Sequence, residues 1–224
     1  MTRSARLATP ACVLFDLDGT LLDTAPDLGH AANLVRGEAG LPPLPIADYR
    51  PVASTGARGL LKVGLDLAPD HPDYPARRDS LLAHYRAGLA RSTRPFPGIA
   101  ELLLNLELRG IRWGVVTNKP GWLTQPLMQE LDLASRAACV VSGDTCAKAK
   151  PAPDPLLHAC AQIDLEPKAC IYVGDDQRDV EAARAAKMRS VAAGWGYLGS
   201  DVPIDAWGAD FVTPTVTDLA NLLS

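Results

Sequence analysis

Short apolar runs that stop at polar residues recur along this chain, and they constrain its fold more than any other feature. The first run spans residues 11–15 and stops at Asp16. A run of this length with no alternating polar positions is typical of a strand buried on both faces of a parallel sheet. Similar runs span residues 111–116, 138–142, 169–173 and 190–193.

Helical patterns separate most of these runs. Residues 99–109 carry apolar side chains at helical spacing and end at Gly110, a residue typical of a helix C-terminus. Strands that alternate with helices predict an α/β fold, a Rossmann-like doubly wound parallel sheet with helices on both faces. The other helical patterns cover residues 122–133, 154–163 and 180–187.

One long segment breaks this alternation. Residues 24–94 show no pattern typical of a buried strand, and proline-rich connectors separate helix-like stretches within the segment. We therefore predict a small all-helical domain, residues 23–94, inserted after the first strand. The core would then consist of residues 1–22 and 95–224.

Four clusters of polar residues each follow a predicted strand. The first contains Asp16 and Asp18, followed by Gly19. An ionised carboxylate such as Asp16 can act as a nucleophile without a base, and Asp18 can act as general acid and then as general base. A simple turn capped by both aspartates explains this motif equally well when it is taken alone. However, ligands bind at the carboxyl ends of strands in open parallel sheets, so we expect the four clusters to converge.

The second and third clusters offer groups that can hold a phosphoryl group. Thr117 ends a predicted strand, and its hydroxyl, with Asn118 beside it, can bind a phosphoryl oxygen; a helix cap is the alternative for Thr117. A lysine is needed to balance the charge of the nucleophile and the phosphoryl group. We favour Lys150 over Lys148 because Lys150 directly precedes a rigid Pro-Ala-Pro stretch, although most lysines are solvent-exposed.

The fourth cluster is acidic and predicts a metal site. Asp175, Asp176 and Asp179 lie within five residues at the end of a predicted strand. At an effective dielectric constant near 20, two carboxylates ~4 Å apart repel each other by roughly 4 kcal/mol. A divalent cation relieves this repulsion, and oxygen ligands together with a phosphate select Mg²⁺. Asp176 also fits the N-cap of the helix that follows, but that role does not explain Asp175.

Together, the four motifs resemble those of the haloacid dehalogenase superfamily of aspartate-nucleophile phosphatases. That pattern is D-x-D-G-T-L, a strand-end Ser or Thr, a Lys before Pro, and G-D-x-x-x-D, and all four occur here in order. The resemblance implies that the inserted segment is a helical cap of the first type. It also implies that Asp16 is the nucleophile, that Asp18 is the general acid and base, and that Thr117 and Lys150 bind the phosphoryl group. The implied Mg²⁺ ligands are Asp16, Asp175 and the Asp18 backbone carbonyl. Asp179 and Asp176 would hold these ligands in place without binding the metal.

Within the superfamily, the chain is most similar to the bacterial phosphoglycolate phosphatase group, on residues 16–26, 113–120 and 173–179. The Gly-Asp-Asp form of the last stretch resembles a subgroup that includes N-acetylmuramic acid 6-phosphate phosphatases. We therefore expect a phosphatase acting on 2-phosphoglycolate or on a sugar phosphate of that kind. A phosphomutase shares all four motifs and stays an alternative, as does a non-catalytic binding protein, although no motif residue is lost. A dehalogenase would not need Asp18 or the acidic cluster.

Weaker signals concern the cap and the last predicted strand. In the family, the counterpart of residues 54–58 is a loop that reaches into the active site. Arg58 is therefore a candidate for binding a substrate carboxylate or sugar phosphate, and a solvent-facing arginine is an equal alternative. Trp195 and Tyr197 either line the entrance to the site or serve as buried core aromatics.

Composition excludes several classes of protein. A formal net charge of -4 argues against nucleic-acid or anionic-membrane partners. The five cysteines include no C-x-x-C motif, which favours reduced thiols over a zinc site or disulfides. No run suggests a signal peptide or approaches the roughly 18 apolar residues of a membrane span. We expect a cytoplasmic monomer or homodimer that acts on a small phosphorylated metabolite.

Overall fold

The computed structural model describes residues 9–199 and 202–224. Its strands are β1 Cys12–Phe15, β2 Leu22–Asp23, β3 Arg94–Pro95, β4 Arg112–Val116, β5 Val140–Val141, β6 Cys170–Gly174, β7 Arg189–Ala193 and β8 Phe211–Thr213. Six of them form one parallel sheet in the order β5-β4-β1-β6-β7-β8, and β2 pairs with β3 in a separate antiparallel ribbon.

The helices confirm the predicted α/β class. Helices cover both faces of the sheet, as the alternation of patterns predicted. In chain order they are α1 Ala25–Glu38, α2 Ile46–Tyr49, α3 Ala57–Leu65, α4 Tyr74–Ala87, α5 Ile99–Leu108, α6 Gly121–Glu130, α7 Asp154–Gln162, α8 Gln177–Ala185 and α9 Val216–Leu222.

The central strand explains why the first apolar run has no polar positions. Val13 and Phe15 pack on the face covered by α5, α6 and α9, whereas Cys12 and Leu14 pack on the face covered by α7 and α8. Each of these four side chains is fully buried. Alternate residues of a strand point to opposite faces, so a strand between two helical layers needs apolar side chains at every position.

Two elements at the C-terminal end were not predicted from the sequence. Strand β8 has only three residues, of which one is buried, so it produces no continuous apolar run. Helix α9 is short, and its N-cap is Thr215, whose hydroxyl accepts a hydrogen bond from the Asp218 N–H in a capping box. An edge strand and a short helix carry weak patterns because each buries little surface.

Helices α1 to α4 occupy the segment for which an insertion was predicted. Helix α1 packs against α2, α3 and α4, with Tyr49 and Leu60 in the shared interior. The chain enters and leaves this segment through the β2–β3 ribbon, in which Leu22 pairs with Pro95. We call the segment the cap, and the domain limits at residues 22 and 95 stay a prediction. None of the described helices is long and apolar enough to span a membrane.

Candidate active site

The sheet topology brings the predicted clusters together at one edge. Strands β4, β1 and β6 are neighbours, so Thr117, Asp16 and Asp175, which follow them, lie side by side. A cavity at this edge lies between the core and the cap. Its core side is lined by Asp16, Asp18, Thr117, Asn118, Lys119, Lys150, Asp176, Arg178 and Asp179, and its cap side includes Ser54, Thr55, Leu81 and Tyr85.

Asp16 is buried beside a lysine. Its carboxylate Oδ1 lies 2.9 Å from Lys150 Nζ, and its backbone N–H donates to the Val173 carbonyl at the end of β6. Burial raises the pKa of Asp16 to about 6; Lys150 opposes this rise, whereas the charge of Asp179 adds to it. At pH 7 most of the Asp16 carboxyl is therefore ionised and able to act as a nucleophile.

Lys150 is held at this position by several contacts. Its Nζ donates to the hydroxyl of Tyr172 at 2.6 Å, to Asp179 at 2.7 Å and to the Val116 carbonyl at 3.1 Å. Burial opposes the charge of Lys150, but the carboxylates of Asp16 and Asp179 outweigh it and raise the lysine pKa. The structure therefore places a fixed cation beside Asp16, the predicted nucleophile.

Asn118 positions Lys150 through its side chain. Its Nδ2 donates to the Lys150 carbonyl at 2.9 Å, and the Lys150 N–H donates back to Oδ1 at 3.0 Å. Because this pairing uses both ends of the amide, the predicted contact of Asn118 with a phosphoryl group would come from its backbone N–H. Thr117, which is buried, accepts a hydrogen bond from the Lys119 N–H at its hydroxyl.

Asp175 is buried without a cationic partner among the described residues. It accepts hydrogen bonds from the Thr20 hydroxyl at 2.9 Å and from the Tyr197 N–H at 2.8 Å. Burial, reinforced by the charges of Asp16 and Asp179, holds the pKa of Asp175 well above its usual range. Gly19, at φ +88°, allows this close packing, since a Cβ there would lie 2.2 Å from a carboxylate oxygen of Asp175.

These groups fit a hard divalent cation. Asp16, Asp175 and Asp179 each offer a carboxylate oxygen, and these oxygens lie within 4.8 Å of one another. Within the described chain, Oδ1 of Asp16 accepts no well-directed hydrogen bond, although it is buried and ion-paired. The Ser54 hydroxyl reaches both the Asp18 carbonyl oxygen, at 3.3 Å, and Asp175 Oδ2, at 3.4 Å, so these two oxygens face a common point. Asp16, Asp175 and the Asp18 carbonyl can thus hold Mg²⁺.

Asp179 and Asp176 make contacts next to the predicted metal site. Oδ1 of Asp179 binds Lys150, and Oδ2 accepts the Asp176 N–H at 3.1 Å. Asp176 is the N-cap of α8, the alternative role that its position suggested. Burial opposes ionisation of Asp176, but hydrogen bonds from Arg178 outweigh it and lower the pKa. Arg178 also donates to the Ser54 carbonyl at 3.1 Å, which joins the core to the cap.

Asp18 is held by two donors, Thr24 and Lys119, and the sequence analysis assigned a role to neither. The Thr24 hydroxyl donates to Asp18 Oδ1 at 2.6 Å, and Lys119 Nζ lies 2.9 Å from the same oxygen. Lys119 Nζ also donates to the hydroxyl of Tyr85, on α4, at 2.9 Å. Burial opposes the charge of Lys119, but Asp18 and Tyr85 outweigh it and raise the lysine pKa. Its only sequence signal was its position two residues after Thr117.

The weaker predictions fall at three different places. Arg58, on α3, has an exposed side chain and does not line the cavity, so its role in substrate binding stays a prediction. Trp195 is half-buried and donates from its indole nitrogen to the Thr20 carbonyl at 3.0 Å. The buried Tyr197 accepts the backbone N–H groups of Thr24 and Ala25 at its hydroxyl, and therefore caps the start of α1.

Comparison with known proteins agrees with this geometry. The family model of haloacid dehalogenase-like hydrolases matches residues 13–193, most of the chain. The chain belongs to this family. The predicted resemblance is thereby confirmed, and with it the expectation that the chain is an enzyme of the hydrolase class.

Named relatives of this haloacid dehalogenase-like hydrolase include both expected groups. It is 46% identical over 205 residues to the phosphoglycolate phosphatase of Xanthomonas campestris pv. campestris, covering 90% of each chain. It is 40% identical over 211 residues to the N-acetylmuramic acid 6-phosphate phosphatase of Pseudomonas aeruginosa, covering 94% of this chain and 93% of that one. The crystal structure of a predicted phosphoglycolate phosphatase from Haemophilus somnus superposes with a TM-score of 0.85 at 25% identity, covering 97% of this chain and 100% of that one.

Proposed function

We propose that this hydrolase is a Mg²⁺-dependent phosphatase that cleaves a small phosphate monoester through an aspartyl-phosphate on Asp16. The observation that carries the proposal is the placement of Asp16 against Lys150 at 2.9 Å, in a cavity that Asp18 also lines. A nucleophile, a cation and a candidate proton donor thus meet at one buried position. Fold similarity alone would not support an activity, but these groups do.

The reaction would proceed in two displacements. A carboxylate oxygen of Asp16 attacks phosphorus, the bond from phosphorus to the ester oxygen breaks, and Asp18 donates a proton to the leaving oxygen. Water then attacks phosphorus, Asp18 accepts the proton of that water, and inorganic phosphate leaves with Asp16 restored. Lys150 and Thr117 hold the phosphoryl oxygens in both steps. Mg²⁺, when bound, would offset the negative charge of the phosphoryl group and the carboxylates.

The names of the relatives support a proposal for the substrate class. We propose 2-phosphoglycolate or N-acetylmuramic acid 6-phosphate, the compounds for which the relatives are named. We further propose that the protein acts in the cytoplasm as a monomer or homodimer, without a nucleic-acid or membrane partner. Its five free cysteines suit a reducing compartment.

Asp16→Asn tests the chemistry directly. The substitution is nearly isosteric, so we expect a folded protein with no measurable turnover of either substrate in the presence of Mg²⁺. Acid quenching of the wild-type reaction during turnover should leave one phosphoryl group on the peptide that contains Asp16, as detected by mass spectrometry. If the variant keeps more than a small fraction of the wild-type rate, the aspartyl-phosphate mechanism is excluded.

A separate measurement identifies the preferred substrate, namely the ratio of the wild-type kcat/KM values for 2-phosphoglycolate and N-acetylmuramic acid 6-phosphate.

A further inference from the structure

We propose that Lys119 is a positioning residue for Asp18, and that Tyr85 makes this positioning depend on the cap. The inference rests on the proposed function, because it concerns how Asp18 is held for proton transfer. In the structure, each aspartate of the first motif has its own buried lysine. Lys150 lies against Asp16, and Lys119 lies against Asp18.

Lys119 contacts both Asp18, on the core side of the cavity, and Tyr85, on the cap side. Its Nζ lies 2.9 Å and 3.3 Å from the two carboxylate oxygens of Asp18, and the Lys119 side chain is only 6% exposed. The same Nζ lies 2.9 Å from the hydroxyl of Tyr85, which is itself buried. The carboxylate of Asp18 is therefore linked to α4 of the cap through this buried ammonium group.

Stability alone gives a weak reason for this ion pair. Removing two charges from water costs several kcal/mol, so a buried pair is often no more stabilising than apolar residues of similar size. Asp18, Lys119 and Tyr85 all line the cavity between the core and the cap. A buried charge pair at the wall of a reaction cavity is better explained by the geometry that it maintains.

That geometry matters because proton transfer tolerates little displacement. A general acid must lie within about 2.6–3.2 Å of the oxygen that it protonates. The Thr24 hydroxyl provides one anchor for Asp18, at 2.6 Å, and Lys119 provides the second. Without the second anchor the carboxyl group can rotate away from the leaving oxygen, which lowers the rate even if the nucleophile is unchanged.

Tyr85 extends the arrangement to the cap. It lies on α4, whereas Lys119 follows β4 of the core, so their hydrogen bond forms only when α4 lies over the core. Closure of a cap excludes water from the reaction and completes the catalytic geometry. Placement of Lys119, and through it of Asp18, therefore depends on closure.

The leaving-group dependence of kcat/KM tests the proposal, because this parameter reports the first displacement. An alkyl ester such as ethyl phosphate needs a proton on its leaving oxygen, whereas 2,4-dinitrophenyl phosphate does not. We expect Lys119→Met to lower kcat/KM for the alkyl ester by about 10²–10⁴-fold, and for the dinitrophenyl ester by less than about tenfold. Tyr85→Phe should shift the same ratio in the same direction by a smaller factor.

A matched control is Tyr49→Phe. Tyr49 is a fully buried cap tyrosine whose hydroxyl donates to Asn33 at 3.0 Å, within the cap. Its loss should leave the ratio for the two esters unchanged. If Lys119→Met does not fold, the comparison of Tyr85→Phe with Tyr49→Phe decides the question by itself.

Three results would overturn the inference. Equal losses on both esters would assign Lys119 to the phosphoryl group or to the fold. A loss on 2-phosphoglycolate that is absent for ethyl phosphate, whose alkyl group carries no carboxylate, would make Lys119 a substrate-binding group instead. A wild-type protein that hydrolyses no ester would overturn the proposed function and this inference with it, whereas the first two results would leave the proposed function intact.

Discussion

The side chain of Asn118 and the backbone of Lys150 form a reciprocal pair of hydrogen bonds, 2.9 Å and 3.0 Å long. The pair joins the segment after β4 to the loop before α7 and so fixes the backbone that carries Lys150. A second asparagine, Asn33, makes the same kind of pair with the backbone of Leu44 in the cap, at 2.8 Å in each direction. Comparing substitutions of the two asparagines therefore distinguishes the effect of such a pair on stability from its effect on catalysis.

We expect Asn118→Ala to lower kcat/KM by about 10–10²-fold, since a small displacement of a phosphoryl-binding group is costly. Asn33→Ala should leave kcat/KM within about threefold of wild type. Each substitution should lower the free energy of unfolding by roughly 1–3 kcal/mol, because backbone groups lose their partners. Steady-state kinetics and urea denaturation measure the two effects. A similar kinetic loss in both variants would show that Asn118 has no special role in placing Lys150.

Metal dependence can be observed without turnover. We expect Mg²⁺ to raise the midpoint of thermal unfolding of the wild-type protein, because a ligand that binds only the folded state stabilises it by about 2.7 kcal/mol at 100 times its Kd. Asp175→Asn should lose most of this effect. Activity should disappear in EDTA and return with Mg²⁺. Ca²⁺ should inhibit, since its larger and looser coordination shell would misplace Asp16. Full turnover after exhaustive chelation would exclude a metal requirement.

The stability of the metal-free protein should depend on pH through Asp175. Burial holds the pKa of Asp175 well above the ordinary value of 3.8 in the folded state. The folded state therefore binds this proton more tightly than the unfolded chain does, and its contribution to stability, complete below pH 3.8, is lost as pH rises through the folded pKa.

Asp175→Asn removes this titration. Its amide oxygen can still accept the Tyr197 N–H, and its NH₂ group can donate to the Thr20 hydroxyl, because these two groups contact different oxygens of Asp175. In EDTA, the stability of the variant relative to wild type should therefore increase as pH rises from about 4 to 7, because the unfolded carboxyl titrates near 4. Urea denaturation midpoints at several pH values provide the comparison. With Mg²⁺ present at pH 7, the wild-type protein should instead be more stable than the variant, because only the wild type binds the metal well. A difference that does not change with pH would show that Asp175 titrates normally.

Arg58 provides a test of which cap residues meet the substrate. Its side chain is exposed and lies outside the cavity. If the predicted contact forms, α3 must move toward the core, and Arg58→Ala should lower kcat/KM for 2-phosphoglycolate by about 10–10³-fold. Arg86→Ala, at an exposed position on α4, is the control and should change it little. Equal, small effects of the two substitutions would show that Arg58 is a solvent-facing arginine.

The sequence alone was sufficient to predict every strand of the six-stranded sheet except β8, and to place the motif residues after those strands. The run before Asp16 is apolar at every position because helices cover both faces of β1. The pattern of this short stretch therefore indicates where the strand lies in the fold. Asp16, Thr117 and Asp175 each follow a strand of that sheet, and parallel neighbours place their carboxyl ends together. These inferences depend on periodicity and connectivity, which are properties of short stretches of chain.

Only the tertiary structure decided how the polar side chains pair. Lys119 contacts Asp18, which is 101 positions away in the sequence, and Tyr85, which is 34 positions away. Its position two residues after Thr117 does not by itself distinguish it from a solvated lysine. Asn118 turns its amide toward a backbone 32 positions away, and Arg58, which carried the most suggestive chemistry in the cap, is exposed. The physical reason is that hydrogen bonds and ion pairs depend on distance and direction, which packing between distant segments sets, whereas burial of apolar surface depends mainly on composition and period.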